Sequence, residues 1–216
     1  MKMPALFSLM FATLLLAGCA QRPSYDYTAF KESKPTSILV LPPLNHSPDV
    51  KAGASLQSQI TLPLAESGYY VLPVAVTNET FRQNGVTEAA DIHALPIKKL
   101  HEIYGADTAL YLDIQNYGTS YLVVSSETVV TASARLVDLR TGKLLWEGKA
   151  SASSAEQQSN SGGGLIGMLV VAVVNQIANT ITDKGHEIAG ITSFRLLSAD
   201  MPNGILYGPH SPKYQN

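Results

Sequence analysis

Apolar positions along the chain fall into two regimes, with helical spacings and short compact runs up to about residue 105 and strict alternation after it. Residues 37–41 form a β-branched apolar run stopped by Pro42 and Pro43, which reads as a buried strand. Leu56, Ile60 and Leu64 then recur at helical spacing, with Pro63 in the last turn and Gly68 as terminator. Residues 69–72 read as a second short strand, and residues 74–83 and 88–93 as helical pieces. A further helix over residues 96–104 opens on Pro96, places Ile97, Leu100, Ile103 and Tyr104 on one side and stops at Gly105.

From Ala106 the period becomes two. Leu110, Leu112 and Ile114 point one way, and Tyr111, Asp113 and Gln115 the other. A turn is expected at Asn116-Tyr117-Gly118, then alternation over residues 121–126 and 129–139, with Val130, Ala132, Ala134 and Leu136 on one face. Residues 138–143 read as a hairpin turn into a strand over 144–152, on which Leu144 and Trp146 share a face. Helices first and an antiparallel meander second predict an α/β (α+β) domain, a mixed β-sheet flanked by helices.

After a polar loop over 153–164, residues 165–174 (Leu-Ile-Gly-Met-Leu-Val-Val-Ala-Val-Val) carry no polar side chain. Such a run is too short to span a bilayer. Three readings stay open: a C-terminal helix buried against the sheet, an interface for a second subunit or partner, and membrane insertion. The candidate interface residues are Leu165, Ile166, Met168, Leu169, Val170, Val173 and Ile177. The C-terminal residues 201–216 read as coil.

The first eighteen residues are of a different character. Lys2 precedes an apolar run containing Leu6, Phe7, Leu9, Met10, Phe11, Leu14, Leu15 and Leu16, the layout of a secretory signal. Leu16-Ala17-Gly18-Cys19 matches the bacterial lipoprotein box, in which the cysteine thiol is acylated before cleavage ahead of it. Cys19 is the only cysteine, so no internal disulfide is possible. Three acyl chains anchor essentially permanently, since each buried methylene contributes roughly 0.8 kcal/mol. The expected organisation is a signal peptide (1–18), a lipidated N-terminus and tether (19–35), one α/β domain (36–200) and a C-terminal coil (201–216). No aspartate follows Cys19, which points to the outer membrane, periplasmic side. Sixteen extended tether residues (20–35) would reach roughly 50 Å, unless Tyr25, Tyr27 and Phe30 pack back on the domain.

Composition narrows the chemistry. With 216 residues, 45% hydrophobic, 15% charged and net charge -2, the chain lacks the dense positive face that nucleic acid requires. Removing residues 1–18 takes away only Lys2 among the charged residues, leaving -3. The five histidines (His46, His93, His101, His186, His210) show no ligand spacing, no Gly-x-Ser-x-Gly occurs, and Gly162-Gly163-Gly164 lacks a phosphate-loop lysine. Asp107, Asp113 and Asp138 are carboxylates at strand ends, read as solvated or turn-forming. No catalytic residue, metal or cofactor is nominated. The loop 42–49, containing Asn45, His46 and Asp49, lies where α/β sheets bind ligands, although a connecting loop is the simpler reading.

The lipoprotein box, Ile38-Leu39-Val40-Leu41-Pro42-Pro43-Leu44-Asn45, Gly105-Ala106-Asp107 and the tail Leu206-Tyr207-Gly208-Pro209-His210-Ser211-Pro212 together resemble a bacterial lipoprotein family. That family is known as domain of unknown function 799 and from a neisserial genome-derived antigen. The stretch from Leu136-Val137-Asp138 to Leu145-Trp146-Glu147-Gly148 is similar to a hairpin of curli-secretion lipoproteins and of the N-terminal domain of the Tol-Pal translocation protein B. The resemblance implies a mixed sheet with helices, the capacity to form homodimers and a role beside an envelope export or transport machine. It brings no catalytic residues. Two functions follow as expectations: a non-enzymatic accessory or assembly subunit that holds a protein partner in the cell envelope, or a periplasmic small-ligand or glycan-binding lipoprotein using loop 42–49.

Overall fold

The computed structural model describes residues 25–121, 126–158 and 183–215. In chain order the elements are α1 (Thr28–Ser33), β1 (Ser37–Val40), β2 (Leu44–Asn45), α2 (Ala52–Glu66), β3 (Tyr70–Val71), α3 (Val74–Gln83), α4 (Ala89–His93), α5 (Ile97–Tyr104), β4 (Thr108–Tyr121), β5 (Ser126–Asp138), β6 (Leu144–Ser153), α6 (Ala155–Gln158) and α7 (Lys184–Leu197). The strands form one mixed sheet in the order β3-β1-β4-β5-β6, with β2 also on β4. β1 and β2 run parallel to their neighbours, and β4, β5 and β6 are antiparallel. The mixed sheet flanked by helices is the architecture the hydrophobic pattern predicts.

β1 is apolar at consecutive positions because both of its sides are covered. Ile38 and Val40 join a core with Leu56, Ile60 and Leu64 of α2 and Ile188 and Leu196 of α7. Leu39 and Leu41 join a second core with Phe81, Ile92 and Leu100 of α3, α4 and α5. Each fully buried leucine or isoleucine contributes roughly 1.5–3 kcal/mol. On α5, Leu100 is buried, whereas Ile103 faces solvent.

Three local expectations are corrected. The turn at Asn116-Tyr117-Gly118 is absent: β4 runs on to Tyr121 through a register shift between Ile114 and Asn116 that leaves Gln115 unpaired. The bulge changes which parity is buried, so Ile114 and then Tyr117 face the core. The run 121–126 is not one strand, because Tyr121 and Ser126 pair with each other across the meander; residues 122–125 lie outside the described residues. Leu144 and Trp146 do not share a buried face. A second shift pairs Leu136 with Trp146 but Val137 with Leu144, which buries Leu145 and Trp146 together and exposes Leu144.

The helix seen to cover the sheet near the C-terminus is α7, not anticipated from the pattern. It is capped by the Asp183 carboxylate, which accepts from the Gly185 and His186 backbone N–H groups. Residues 165–181, expected to be the apolar element, lie outside the described residues. Of the two readings of residues 20–35, packing back holds for the described part: Phe30 is buried in the core, with Tyr25 and Tyr27 against it. The tail is ordered over 201–215, where Gly208 N–H donates to Ser67 O (2.8 Å) and His210 N–H to Gly68 O (3.1 Å).

Both sheet-end aspartates are structural. Asp107 accepts from Thr36 and Ser37 and faces Arg140 at 3.6 Å. Asp138 accepts from Ser33 (2.6 Å), Arg140 (2.9 Å) and the Thr141 backbone N–H (2.9 Å), tying α1 to the β5–β6 turn. Burial alone would raise the Asp138 carboxyl, and these hydrogen bonds outweigh it, holding the group well below the usual carboxylate range. Its stabilisation is therefore complete above the unfolded-state value of about 3.9 and is lost as pH falls from there toward the folded-state value. Asp138→Asn is expected to cost about 1.5–3 kcal/mol at pH 7 and to weaken the acid dependence below pH 4. Urea denaturation at pH 7 and at about pH 3.5 measures both.

Candidate functional site

Cover on the second face of the sheet ends at Tyr111. Helices α3, α4 and α5 lie over the β3-β1-β4 side, and beyond them the outward residues of β4, β5 and β6 are open. Register makes rows of them: Tyr111, Arg135 and Glu147 in one, Asp113, Ser133 and Lys149 in the next. His93 and Leu44 wall this trough on one side, and Tyr25, Pro202 and Asn203 on the other, enclosing about 620 Å³. Loop 42–49 contributes through β2, which pairs with β4 at Asp113 and Ile114 and sets Leu44 at the rim.

The floor is built on Tyr111. The His93 ring stands edge-on to it, with centroids 5.2 Å apart at 82°, and the Arg135 guanidinium lies 5.6 Å from its centroid. Burial lowers the His93 pKa, so the ring is neutral near pH 7 and its Nε2–H donates to Pro42 O (2.9 Å), joining α4 to the loop after β1. Asp113 lies 3.3 Å from His46 Nε2 and accepts from Gln115 Nε2, which also donates to Ser133. Arg135 and Lys149 pair with no carboxylate among the described residues. The far wall is held by Asn203: its side-chain oxygen accepts from Tyr25 N–H (3.1 Å) and its carbonyl from Trp146 Nε1–H (2.9 Å). The Glu147 backbone N–H donates to the Tyr25 hydroxyl (3.1 Å).

Aromatic edges, two cations and two carboxylates on an open floor suit binding of a polar, ring-bearing or peptidic surface. The histidines are scattered, and among the described residues no group of three potential metal ligands is gathered. A serine and a histidine do meet elsewhere. Ser55 Oγ accepts from Tyr117 (2.8 Å) and stands 2.9 Å from His186 Nδ1, and the Gln59 amide is 2.6 Å from Nε2. The imidazole is thus bracketed on both nitrogens, which locks α2 to α7.

Cys19 and the candidate interface Leu165, Ile166, Met168, Leu169, Val170, Val173 and Ile177 lie outside the described residues. Residue patterning missed Tyr111, Arg135, Glu147 and Lys149, because they become neighbours only through strand register. Among the described residues no helix is long and apolar enough to cross a membrane.

One mixed sheet, closed by helices on one face and half-open on the other, defines a mixed α/β fold with an open polar surface. The family model described as "Putative lipoprotein GNA1162-like" matches residues 25–210, and the chain belongs to that lipoprotein family. It is 54% identical over 200 residues to the "Putative lipoprotein NMB1124/NMB1162" of Neisseria meningitidis serogroup B, covering 92% of each chain. The crystal structure of lipoprotein GNA1162 from Neisseria meningitidis is similar at 56% identity and TM-score 0.55, covering 68% of this chain and all of that one. The LpoB C-terminal domain from Salmonella enterica is matched at 17% identity and TM-score 0.40, over 67% of this chain and 93% of that one.

Tyr111 and Arg135 should behave differently on substitution. Tyr111→Ala removes a ring that is only 8% exposed and is expected to cost about 3–5 kcal/mol. Arg135→Ala loses one exposed cation–π contact, about 0.5–1 kcal/mol. Paired thermal melts separate the structural floor from the cation left available for a ligand.

Proposed function

We propose that this lipoprotein is anchored through acylated Cys19 to the outer membrane, periplasmic side, and works as a non-enzymatic accessory or assembly subunit of an envelope export or transport system. The observation that carries the reading is the docked N-terminal segment behind the lipoprotein box. Tyr25 is hydrogen-bonded to Asn203 and Glu147, so the chain between Cys19 and the folded body can span at most about 20 Å. That is well short of the reach of a free sixteen-residue tether. A body held so near the lipid is oriented as well as tethered, with its Tyr25 side toward the leaflet. Acyl anchoring by three chains does not reverse on a useful timescale, which suits a fixed subunit.

β6 ends at Ser153, about 20 Å along the strand from Glu147 and Tyr25, and residues 159–182 follow α6. Their apolar positions Leu165, Ile166, Met168, Leu169, Val170, Val173 and Ile177 are the proposed contact with an envelope partner or a second copy of the chain. A second reading, a periplasmic small-ligand or glycan-binding lipoprotein, is favoured by the open trough with its available Arg135 and Lys149.

Photocrosslinkers placed through 165–177 in the lipidated protein in cells are expected to capture one discrete partner or a homodimer. Val170→Asp should reduce that capture at least fivefold without changing the amount of protein. Cys19→Ala should move the protein from the membrane to the soluble fraction. Capture unaffected by Val170→Asp, together with saturable sugar or peptide binding abolished by Arg135→Ala, would favour the second reading.

A further inference from the structure

A second cavity among the described residues is more enclosed than the trough. It lies between α1 and the C-terminal tail, encloses about 750 Å³ and is walled by Tyr27, Phe30, Tyr69, Met201, Ile205 and Leu206. That volume is in the range of built small-molecule sites. Its chemistry is sharply divided between wall and mouth. The hydroxyls of Tyr27 and Tyr69 already donate to the carbonyls of Gly204 (2.5 Å) and Leu206 (2.6 Å). These walls therefore present ring carbon and aliphatic side chains to an occupant, with the aromatic hydroxyls turned to the tail backbone.

The mouth is cationic. Lys213 lies 5.1 Å from the Tyr207 ring centroid and is paired with Asp200 at 2.8 Å. Lys31 and Lys34 also line the cavity, are exposed, and have no carboxylate partner among the described residues. Lys31 stands in the last turn of α1 and Lys34 is its C-cap, and both line the same cavity. Lys34 closes α1 in the left-handed region at φ 46, where glycine is the unstrained residue.

We propose that this cavity is a binding site for a single-chain lipid with an anionic head. Lys31 and Lys34 take the carboxylate or phosphate, and the hydrocarbon lies against the half-buried Tyr27, Met201 and Leu206, with Phe30 and Tyr69 buried behind them. A polar ligand would find few hydrogen-bonding partners in these walls, and a neutral amphiphile would leave the two cations unmatched. The source is the adjacent leaflet: the cavity begins two residues after Tyr25, whose distance from the acylated cysteine is limited to about 20 Å. The source rests on the anchoring reading above; the site itself does not.

The test uses the full-length lipidated protein in phosphatidylcholine nanodiscs with three photoreactive probes sharing one sixteen-carbon chain: a fatty acid, a lysophosphatidate and a neutral alcohol. Saturable labelling by either anionic probe, confined to peptides spanning 27–34 and 199–214 and at least fivefold above the alcohol, is the expected result. Labelling by only one of the two identifies the head as carboxylate or phosphate. Lys31→Glu combined with Lys34→Glu should reduce labelling about tenfold. Lys34→Gly should reduce it severalfold while the melting temperature stays equal or rises, an outcome a purely structural lysine would not produce. Cys19→Ala protein, given the anionic probes in solution, should be labelled on the same peptides whether or not the anchoring reading holds. Labelling that is non-saturable, equal for the alcohol or indifferent to both lysine variants overturns the proposal.

Discussion

Asn203 joins three parts of the molecule that would otherwise be independent. Its side chain takes the Tyr25 backbone N–H, and its carbonyl takes the indole N–H of Trp146, itself 1% exposed. Through these two bonds the segment following Cys19, the edge strand β6 and the C-terminal tail become one unit. A buried indole N–H without a partner would cost about 1–3 kcal/mol, so the tail cannot detach without penalising the core. The outer wall of the trough and the lysine-mouthed cavity both follow from this junction, as does the short span to the proposed anchor. Asn203 itself adopts φ 56, a left-handed conformation that asparagine tolerates better than most residues. Gly204 follows, where a Cβ would stand 2.6 Å from Ser198 O. The Asn-Gly pair is thus what turns the tail back across Trp146.

The two faces of the sheet account for the division between structure and surface. On the face under α2 and α7, the buried apolar residues of β5 are Val130, Ala132, Ala134 and Leu136, with alanines at the two central positions. Small residues there let α7 approach closely, and Gly185 continues the same logic against Tyr117, whose ring lies 2.8 Å from where a Cβ would be. On the other face, α3, α4 and α5 are short and stop at Tyr111, so the antiparallel half of the sheet keeps its polar residues in solvent. An antiparallel sheet can hold one face wet, whereas the parallel β1 must be covered on both. The trough is thus the part of the sheet that the short helices leave uncovered.

What the residue pattern shows and what it hides have physical reasons. The double-sided burial of β1, the alternation of β4 and β5, and the Pro96 to Gly105 helix were legible because each depends on local period and on Pro or Gly punctuation. The bulges at Gln115 and Leu145 were not, since an extra residue changes the buried parity without any marker in side-chain type. α7 was hidden for a related reason: Gly185, Ala189, Thr192 and Ser193 on its buried side are small or polar, and the run at 165–174 dominates by hydrophobicity. Neither row of the trough could be read from the chain, because Arg135 meets Tyr111 and Glu147 only through register.

Neighbouring residues of the N-terminal segment look onto different spaces, Tyr25 onto the trough and Tyr27 onto the cavity, and their rings touch with centroids 4.9 Å apart. The segment is therefore a shared wall. A substitution at either ring therefore bears on both spaces through this contact. In the proposed lipidated form the same segment would also set the distance between the body and the lipid. The segment is held by hydrogen bonds of Tyr25 with Asn203 and Glu147 and of Tyr27 with Gly204, and also by the buried Phe30 ring and the Ser33 to Asp138 bond. Each hydrogen bond contributes about 0.5–1.5 kcal/mol and the buried Phe30 ring about 1.5–3 kcal/mol, which makes the segment an integral part of the fold.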